Sequence, residues 1–540
     1  MDRRTFLHRS AAAAAGSLIG RTARGLSAQS AKTAQPVVST VAGRIRGLSL
    51  AGVHTFKGIP YGGSTTGRAR FQPPAKLQPW SGIRDAVALG ERCPQERDAM
   101  FRLLPEVERP EREGEDCLRL NVWTNGLNRN GKRPVMVWLH GGGYATGSGG
   151  FIVYDGTELA RKHDVVVVTV NHRLNIFGFL HLADIGNSGY AQASNAGMRD
   201  IVSALEWVRD NIEAFGGDPK NVTVFGQSGG AGKVSTLMAM PSARGLFHRA
   251  IAQSGAALTA VSRADANATT ETILARLNLE ATEFDRLHTL PAAQLLGAIS
   301  GSGRGGQAPV RLAPVVDGML LSRDPFSPGA PELSADIPLL IGSTATEVLF
   351  AQPPPPEPLD DAGLRSRVAQ ALRVDDTAAD RVIAIYRKGR PQATNGDLSA
   401  IIATDVSAFA TGPATQAERQ AALGKAPVFK YYFSWFSPIH DGKLRSFHTL
   451  EIPFVFDHVD EVREMTGTGT DRVALAAKMA GAWTAFARTG NPNHQGLPEW
   501  RRFDAAKRVT MIFDAECRSV DDPYREERLA IAEVTAANRR

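Results

Sequence analysis

The chain has 540 residues, of which 43% are hydrophobic and 22% are charged, and its formal net charge at pH 7 is +7. This balance is typical of globular proteins, and the length is sufficient for one large hydrophobic core or two smaller ones. Because no apolar run is long enough to cross a bilayer, we expect no stable membrane insertion.

The first thirty residues have the composition of an export signal. Arg3 and Arg4 precede an apolar, Ala-rich run over residues 11–19, and small residues follow. This order predicts a signal peptide over residues 1–30, and the paired arginines indicate the twin-arginine route to the periplasm or the medium. The alternative is a basic amphipathic N-terminal helix.

Loss of residues 1–30 changes the charge of the protein. Five arginines and one aspartate lie there, so removal lowers the formal net charge from +7 to about +3. No basic block remains in the rest of the chain, and we therefore expect no nucleic-acid partner. No pattern in the sequence specifies an oligomeric state.

The three cysteines are Cys93, Cys117 and Cys517, and their spacing matches neither a zinc motif nor a redox motif. Export to an oxidising compartment favours one disulfide, and a bond between Cys93 and Cys117 would close a short polar loop. The alternative is that all three cysteines are reduced.

From residue 36 onward, short apolar runs of β type alternate with helical stretches. Residues 197–215 carry apolar side chains three and four positions apart, which predicts a helix. The alternation predicts an α/β fold with a mostly parallel sheet flanked by helices, in one domain over residues 36–535. We expect residues 300–306 and 353–358 to be surface excursions. The predicted strands are 135–139, 165–170, 222–225, 250–253, 338–342 and 428–435.

Residues 222–231 combine a strand with the pattern Gly-x-Ser-x-Gly. A β-favouring run leads into Ser228, which Gly226 and Gly230 flank, and a helix-compatible segment follows over residues 231–240. This is the pattern of a nucleophile elbow, in which the glycines let the strand and the helix pass close to each other. The five residues alone are equally typical of a Gly/Ser turn, so the interpretation depends on catalytic partners elsewhere.

A serine hydroxyl is a poor nucleophile and needs a general base and an acid that orients the base. In an elbow enzyme the chain order is serine, acid, histidine. This order excludes His140 and His172, which precede Ser228. Glu347 lies in the loop at the exit of the predicted strand 338–342, where the acid is expected.

The general base should follow the next predicted strand, 428–435. His440 and His448 both lie in the loop beyond it, and position alone does not separate them. A single loop histidine is more often a solvated surface residue than a catalyst. The histidines downstream of the serine are His248, His288, His440, His448, His458 and His494.

A glycine triplet at residues 141–143 follows the predicted strand 135–139, within the run His-Gly-Gly-Gly-Tyr. Free backbone amides in such a loop form an oxyanion hole, as in the HGGG-type motif of esterases and lipases. A phosphate-binding loop is the competing interpretation. It fails here because the run contains neither Gly-x-Gly-x-x-Gly nor a Gly-Lys-Ser/Thr ending.

Together these motifs make the chain resemble the type-B carboxylesterases, the α/β-hydrolase family that includes cholinesterases and bacterial esterases. The resemblance covers nearly all of residues 36–515, and so many motifs in the same order are together specific for this family. The matching segments are FKGIPY at 56–61, EDCLRLNVW at 115–123, HGGGY at 140–144, NHRL at 171–174, FGGDP at 215–219, GQSGG at 226–230, FHTLEIPF at 447–454 and TGNPN at 489–493.

The resemblance implies an activity and a catalytic triad. The family's histidine matches His448 and its acid matches Glu347, so Ser228 would attack an ester carbonyl with these two residues as base and orienter. The implied enzyme is a serine carboxylic-ester hydrolase acting on small-molecule esters through an acyl-enzyme, without a metal or an organic cofactor.

The same match implies the oxyanion hole and a disulfide. The oxyanion donors would be the backbone amides of Gly142, Gly143 and Gly229. The family's first disulfide matches Cys93 and Cys117, which leaves the third cysteine unpaired.

The chain departs from the family at several positions. Gln227 stands where glutamate is frequent, and Gly229 stands where alanine is usual. Residues 93–117 contain no tryptophan and one aromatic residue, Phe101, so cation–π capture of choline is poorly supported and we do not expect a cholinesterase. Two alternatives to ester hydrolysis remain: hydrolysis of a carbamate, lactone or amide, and a non-catalytic binding role on the same fold.

Overall fold

The computed structural model describes residues 35–186, 188–300, 310–350 and 358–537. The predicted signal peptide, and most of the two predicted surface excursions, lie outside the described residues. The strands are β1 (Val37–Ser39), β2 (Arg44–Arg46), β3 (Leu48–Leu50), β4 (Val53–Pro60), β5 (Ile83–Asp85), β6 (Arg119–Thr124), β7 (Arg133–Leu139), β8 (Val166–Val170), β9 (Gly217–Gln227), β10 (Arg249–Gln253), β11 (Leu339–Thr344), β12 (Val428–Phe433), β13 (Thr510–Phe513) and β14 (Arg518–Val520).

Helices occupy most of the connections between these strands. They are α1 (Ala99–Leu103), α2 (Thr157–His163), α3 (Asn175–Phe179), α4 (Ala196–Asn211), α5 (Gly229–Met238), α6 (Arg263–Arg276), α7 (Ala292–Ile299), α8 (Asp361–Leu372), α9 (Asp376–Gly389), α10 (Asn395–Asp405), α11 (Ala408–Ala422), α12 (Ile452–Val455), α13 (Arg463–Thr466), α14 (Asp471–Thr489) and α15 (Arg525–Ala537). None of these described helices is both long enough and apolar enough to cross a membrane.

The described residues form a large mixed sheet in the order β14-β13-β12-β11-β10-β9-β7-β8-β6-β4-β3. The strands from β13 to β8 in this order are all parallel, and the antiparallel pairs lie toward the two edges. Every predicted strand is present as one of these elements, and the predicted mostly parallel sheet is confirmed. A separate small sheet contains β1, β2 and β5.

Both faces of the large sheet are buried, because successive side chains of a strand point to opposite faces. In β7, Val135 and Val137 join the core on one face, where α4 and α5 pack, while Met136 and Trp138 join the core on the other, where α14 packs. All five residues of β8 are buried. Each such aliphatic side chain stabilises the fold by about 1.5–3 kcal/mol relative to exposure.

The predicted helix over residues 197–215 is confirmed as α4 followed by a 3₁₀ turn, Ile212–Phe215. Its regularly spaced apolar residues, including Val202, Leu205 and Val208, are buried against the sheet. The helix face that the spacing predicted is therefore the packed face. Gly216, with φ of +79°, ends the turn in a left-handed conformation that favours glycine.

The parallel strands end at one edge of the sheet, where catalytic residues of α/β folds usually collect. The glycine triplet follows β7, Ser228 follows β9, and Glu347 follows β11. His448 lies beyond β12. The topology thus brings residues from four distant parts of the chain to one edge.

Candidate active site

Ser228 stands in a sharp turn between β9 and α5. Its backbone has φ of 58° and ψ of −122°, a conformation that is strained for a residue with a side chain. A hydrogen bond of 2.8 Å from its amide to the carbonyl oxygen of Gln253 holds the turn against β10. α5 begins at Gly229 and ends at Met238, two residues earlier at each end than the predicted segment 231–240.

Glycines at the elbow permit a close crossing of backbones. A Cβ atom built on Gly226 would lie 2.6 Å from the carbonyl oxygen of Leu139, and one built on Gly230 would overlap the same oxygen. Real Cβ atoms are not found so close to backbone oxygen, so the expected reason for these two glycines is confirmed. A Cβ on Gly229 would lie 2.5 Å from the backbone nitrogen of Gly143, so the elbow also packs against the glycine triplet.

The glycine triplet turns back toward the elbow. Gly142 and Gly143 have φ of +82° and +64°, in the left-handed region that favours glycine. The amide of Thr146 donates to the carbonyl oxygen of Gly142 over 3.0 Å, which closes the turn. Gly142, Gly143 and Gly229 all line the cavity that Ser228 lines.

Glu347 and His448 form a buried pair beside the serine. Nδ1 of His448 contacts Oε2 of Glu347 in a hydrogen bond, and their side chains are 1% and 0% exposed. The other carboxylate oxygen of Glu347 accepts a hydrogen bond of 2.7 Å from the amide of Thr344. The carboxylate is thereby fixed in orientation and in turn fixes the imidazole.

A tertiary contact aligns the two loops that carry this pair. Thr346 and Phe447, each one residue before a member of the pair, form an isolated parallel bridge. The amide of Thr346 donates to the carbonyl oxygen of Ser446 over 3.1 Å. The bridge therefore sets Glu347 and His448 in register.

Position in the sequence did not distinguish His440 from His448 as the general base, and the structure does. His448 is buried, contacts Glu347 and lines the cavity with Ser228. His440 is exposed in the turn Ile439–Gly442, where its φ is 49°. Only His448 is brought to the cavity.

The cavity has a volume of about 540 Å³ and a mainly apolar wall. The ring of Phe409, from the first turn of α11, lies 4.6 Å from the ring of His448, centroid to centroid. Such a cavity fits the apolar part of a small molecule. The small apolar residues of its wall are Ala256, Ala257, Ala260, Val261, Ala313 and Ala408.

Comparison with known proteins assigns the chain to a family. A model described as the carboxylesterase family matches residues 34–532. The chain is 36% identical over 500 residues to the para-nitrobenzyl esterase of Bacillus subtilis (strain 168), covering 91% of this chain and 97% of that protein. The chain belongs to the carboxylesterase family.

Two further proteins are similar to this carboxylesterase. The phenmedipham hydrolase of Pseudarthrobacter oxydans is 33% identical over 492 residues, which is 89% of this chain and 96% of that one. A solved carboxylesterase from Geobacillus stearothermophilus is 38% identical with a TM-score of 0.76, covering 92% of this chain and 99% of that chain. The predicted α/β-hydrolase fold and the predicted class, serine carboxylic-ester hydrolase, are confirmed.

Glu451 is a buried carboxyl group of this carboxylesterase to which the sequence assigned no role. Its Oε1 lies 3.3 Å from the hydroxyl oxygen of Ser254 and 3.4 Å from the side-chain nitrogen Nε2 of Gln253, and both groups donate to it. Burial, together with the nearby charge of Glu347, raises the pKa of Glu451 to about 7. Its only signal in the sequence was its place in the segment FHTLEIPF at 447–454, which matches the family.

Gln227, the departure from the family's frequent glutamate, contacts the base. Its Nε2 lies 3.3 Å from Nε2 and 3.4 Å from Nδ1 of His448, and its side chain is fully buried. The Gln227 amide is therefore part of the surface against which the imidazole packs.

The structure has free thiols where the family resemblance implies a disulfide. Cys93 and Cys117 are both buried and unbonded. The contact between the two thiols and their burial raise the pKa of Cys117 well above its usual value. Because the thiols are neighbours, a Cys93–Cys117 disulfide remains a prediction. Over the described residues, no three His, Cys, Asp or Glu side chains are grouped as a metal site.

Proposed function

We propose that this carboxylesterase hydrolyses carboxylic esters through Ser228, His448 and Glu347, with an acyl-enzyme intermediate. The observation that carries the proposal is one cavity lined by Ser228, by His448 and by the glycine triplet, with Glu347 behind the imidazole. This arrangement supplies a nucleophile, a base, an orienter and backbone donors, which are the parts that acyl transfer needs.

In the proposed first step, Oγ of Ser228 attacks the ester carbonyl carbon while His448 accepts the hydroxyl proton. The carbonyl oxygen gains negative charge, which the amides of Gly142, Gly143 and Gly229 stabilise. His448 then returns the proton to the leaving alcohol, and the acyl group stays on the serine.

In the second step, water enters from the alcohol side and His448 removes a proton from it. Attack on the acyl carbon forms a second oxyanion in the same hole. The bond between the acyl carbon and Oγ of Ser228 then breaks, His448 returns its proton to Oγ, and the acid leaves. Glu347 keeps the proton on Nδ1 of His448 and stabilises the imidazolium in both steps. The steps use side chains, backbone amides and water, with no metal or organic cofactor.

We also propose the substrate class and the location of the enzyme. The apolar wall favours small esters with apolar acyl or alcohol groups. Because one relative is named phenmedipham hydrolase, phenmedipham is a second candidate substrate for the same triad. Residues 1–30 are proposed as a twin-arginine signal and residues 36–535 as the catalytic domain, which gives a periplasmic or secreted enzyme.

A substrate panel tests this function. We would measure kcat/KM of wild type and Ser228→Ala for esters of graded acyl and alcohol size, a p-nitrobenzyl ester and phenmedipham. We expect saturable ester hydrolysis that falls by about 10⁴-fold or more in the variant. A folded wild-type protein that hydrolyses none of these compounds would favour a binding role instead.

A further inference from the structure

Lys233 is a fully buried lysine one turn beyond the elbow serine. Its side chain is 0% exposed, although lysine is almost never fully buried without a partner. Its Nζ donates a hydrogen bond of 2.8 Å to the carbonyl oxygen of His140. His140 is the residue immediately before the glycine triplet, so this contact joins α5 to the start of the oxyanion loop.

The carbonyl oxygen of His140 lies against α5 at two residues of the helix. Lys233 binds its carbonyl oxygen, and a Cβ atom built on Gly230 would lie 3.0 Å from the same oxygen. In the next peptide, Nδ1 of His140 lies 2.9 Å from the carbonyl oxygen of Gly141. Because a peptide unit is planar, fixing the Gly141 carbonyl also fixes the direction of the Gly142 N–H group.

We propose that Lys233 is a positioning residue for ester hydrolysis, which anchors the oxyanion loop through the His140 carbonyl and adds positive potential behind it. The inference rests on the proposed triad mechanism and extends it to a residue that touches neither substrate nor the triad. A preorganised positive environment stabilises a transition state most when it lies close to the atom on which negative charge develops.

The charged and titratable groups around Lys233 are consistent with this role. Burial lowers the pKa of Lys233 to about 7, and Asp98 partly opposes the shift. Burial and the charge of Lys233 lower the pKa values of His140 and His172, whose rings stack 4.9 Å apart, so both remain neutral. Burial raises the pKa of Tyr144, whose ring lies 5.8 Å from Nζ, to about 12.

The loss of charge on Lys233 determines how kcat/KM should change with pH. The ammonium form of Lys233 predominates below its pKa of about 7 and is lost as the pH rises through that value. The transition state is therefore stabilised less on the alkaline side, and kcat/KM of the wild type should fall there. Methionine at this position has similar length and no titrating group, so the alkaline decline should be absent from Lys233→Met.

The test compares Lys233→Met with wild type in four measurements: kcat, KM, affinity for a trifluoromethyl ketone that adds to the serine, and affinity for the product carboxylate. We expect kcat and ketone affinity to fall together by about tenfold, less than the roughly 10²–10³-fold loss of a direct oxyanion donor. KM and product affinity should change by less than about twofold, because the ground state makes no new contact with the loop.

Ser235→Ala is the matched control. Ser235 lies on the same helix and is equally buried, but its hydroxyl lies 2.8 Å from Oε1 of Gln416 and 2.9 Å from the carbonyl oxygen of Ala231. We expect this variant to keep the wild-type kcat and alkaline decline. Thermal unfolding distinguishes a positioning role of Lys233 in catalysis from a merely structural role. For a positioning role, the melting temperature of Lys233→Met should equal or exceed that of wild type at pH 6, where a charged lysine is costly to bury.

Lys233→Met with wild-type kcat, ketone affinity and alkaline decline would overturn the proposal. If Lys233→Met does not fold, Lys233→Gln retains a donor without a titrating group, and an unchanged alkaline decline in that variant would also overturn it. Failure of the underlying mechanism has a different signature, because wild type itself would then neither hydrolyse esters nor bind the ketone.

Discussion

The two halves of the candidate active site are built in different ways. The nucleophile half, from β9 through Ser228 into α5, is one continuous stretch whose shape follows from glycines at fixed positions. The acid–base half joins residues 101 positions apart in the sequence, Glu347 and His448, through a bridge between two loops. Local sequence therefore specifies the first half, and tertiary contact specifies the second.

The largest expected effect comes from removing the base. We expect His448→Ala to lower kcat by about 10⁴-fold or more, because His448 lines the cavity with Ser228 and is oriented by Glu347. His440→Ala is the matched variant, since its exposed side chain lies in the same connection, and it should leave kcat within about twofold. The measurement is kcat of wild type and both variants with one ester, by steady-state kinetics. Loss of turnover in His440→Ala, with turnover retained in His448→Ala, would reverse the assignment.

Gly230→Ala tests the nucleophile half. The added methyl group would overlap the carbonyl oxygen of Leu139, so β7 and α5 must separate and the oxyanion amides must move. We expect kcat to fall by about 10²–10³-fold and the free energy of unfolding to fall by about 1–3 kcal/mol.

The control for that variant is Gly297→Ala. Gly297 lies in α7, and a Cβ atom built on it would meet no atom of another described element within 4 Å. Alanine there should be neutral or stabilising by up to about 1 kcal/mol, since it restricts the unfolded chain. Urea unfolding gives the free energy of unfolding of both variants, and steady-state kinetics give kcat. Equal values for Gly230→Ala and Gly297→Ala would show that β7 and α5 do not cross closely at the elbow.

Thr346→Pro tests the acid–base half. Proline removes the amide that bonds to Ser446, so the loops carrying Glu347 and His448 lose their alignment. We expect kcat to fall by about 10²-fold, the cost of a misplacement of about 1 Å. Thr346→Val keeps the amide and should stay within about threefold of wild type. Equal kcat values for the two variants would contradict a role for the bridge.

The sequence predicted the features that depend on neighbouring residues and missed those that depend on tertiary contacts. Short apolar runs of β-favouring residues predicted the strands, and Gly-x-Ser-x-Gly predicted the elbow, because both depend on neighbours in the chain. Position could not choose between His440 and His448, since the bridge at Thr346 depends on folding. Lys233 was missed because a lysine in a helical pattern resembles a solvated residue, and no local signal shows that α5 lies beneath the oxyanion loop.

The smallest effect is expected at Glu451. Burial raises its folded-state pKa to about 7, above the usual value of 4.5, so the stability it contributes is complete below about pH 4.5 and is lost as the pH rises through 7. Glu451→Gln does not titrate, so its melting temperature should rise relative to wild type between pH 5 and pH 8.

The exposed Glu499 supplies the control for that measurement. Glu499→Gln should show no such pH-dependent difference in thermal melts at the same two pH values. A Glu451→Gln difference that is the same at pH 5 and pH 8 would mean that Glu451 does not lose a proton over this range in the folded protein.

Labelling with a fluorophosphonate tests whether Ser228 is an activated nucleophile, since it requires both halves of the site to act on one atom. The measurement is intact-mass analysis of residues 31–540 of wild type, Ser228→Ala and His448→Ala after treatment with the probe. We predict one adduct on wild type, none on Ser228→Ala, and much slower labelling of His448→Ala. A well-folded wild type without an adduct, or an adduct that persists in Ser228→Ala, would contradict the account.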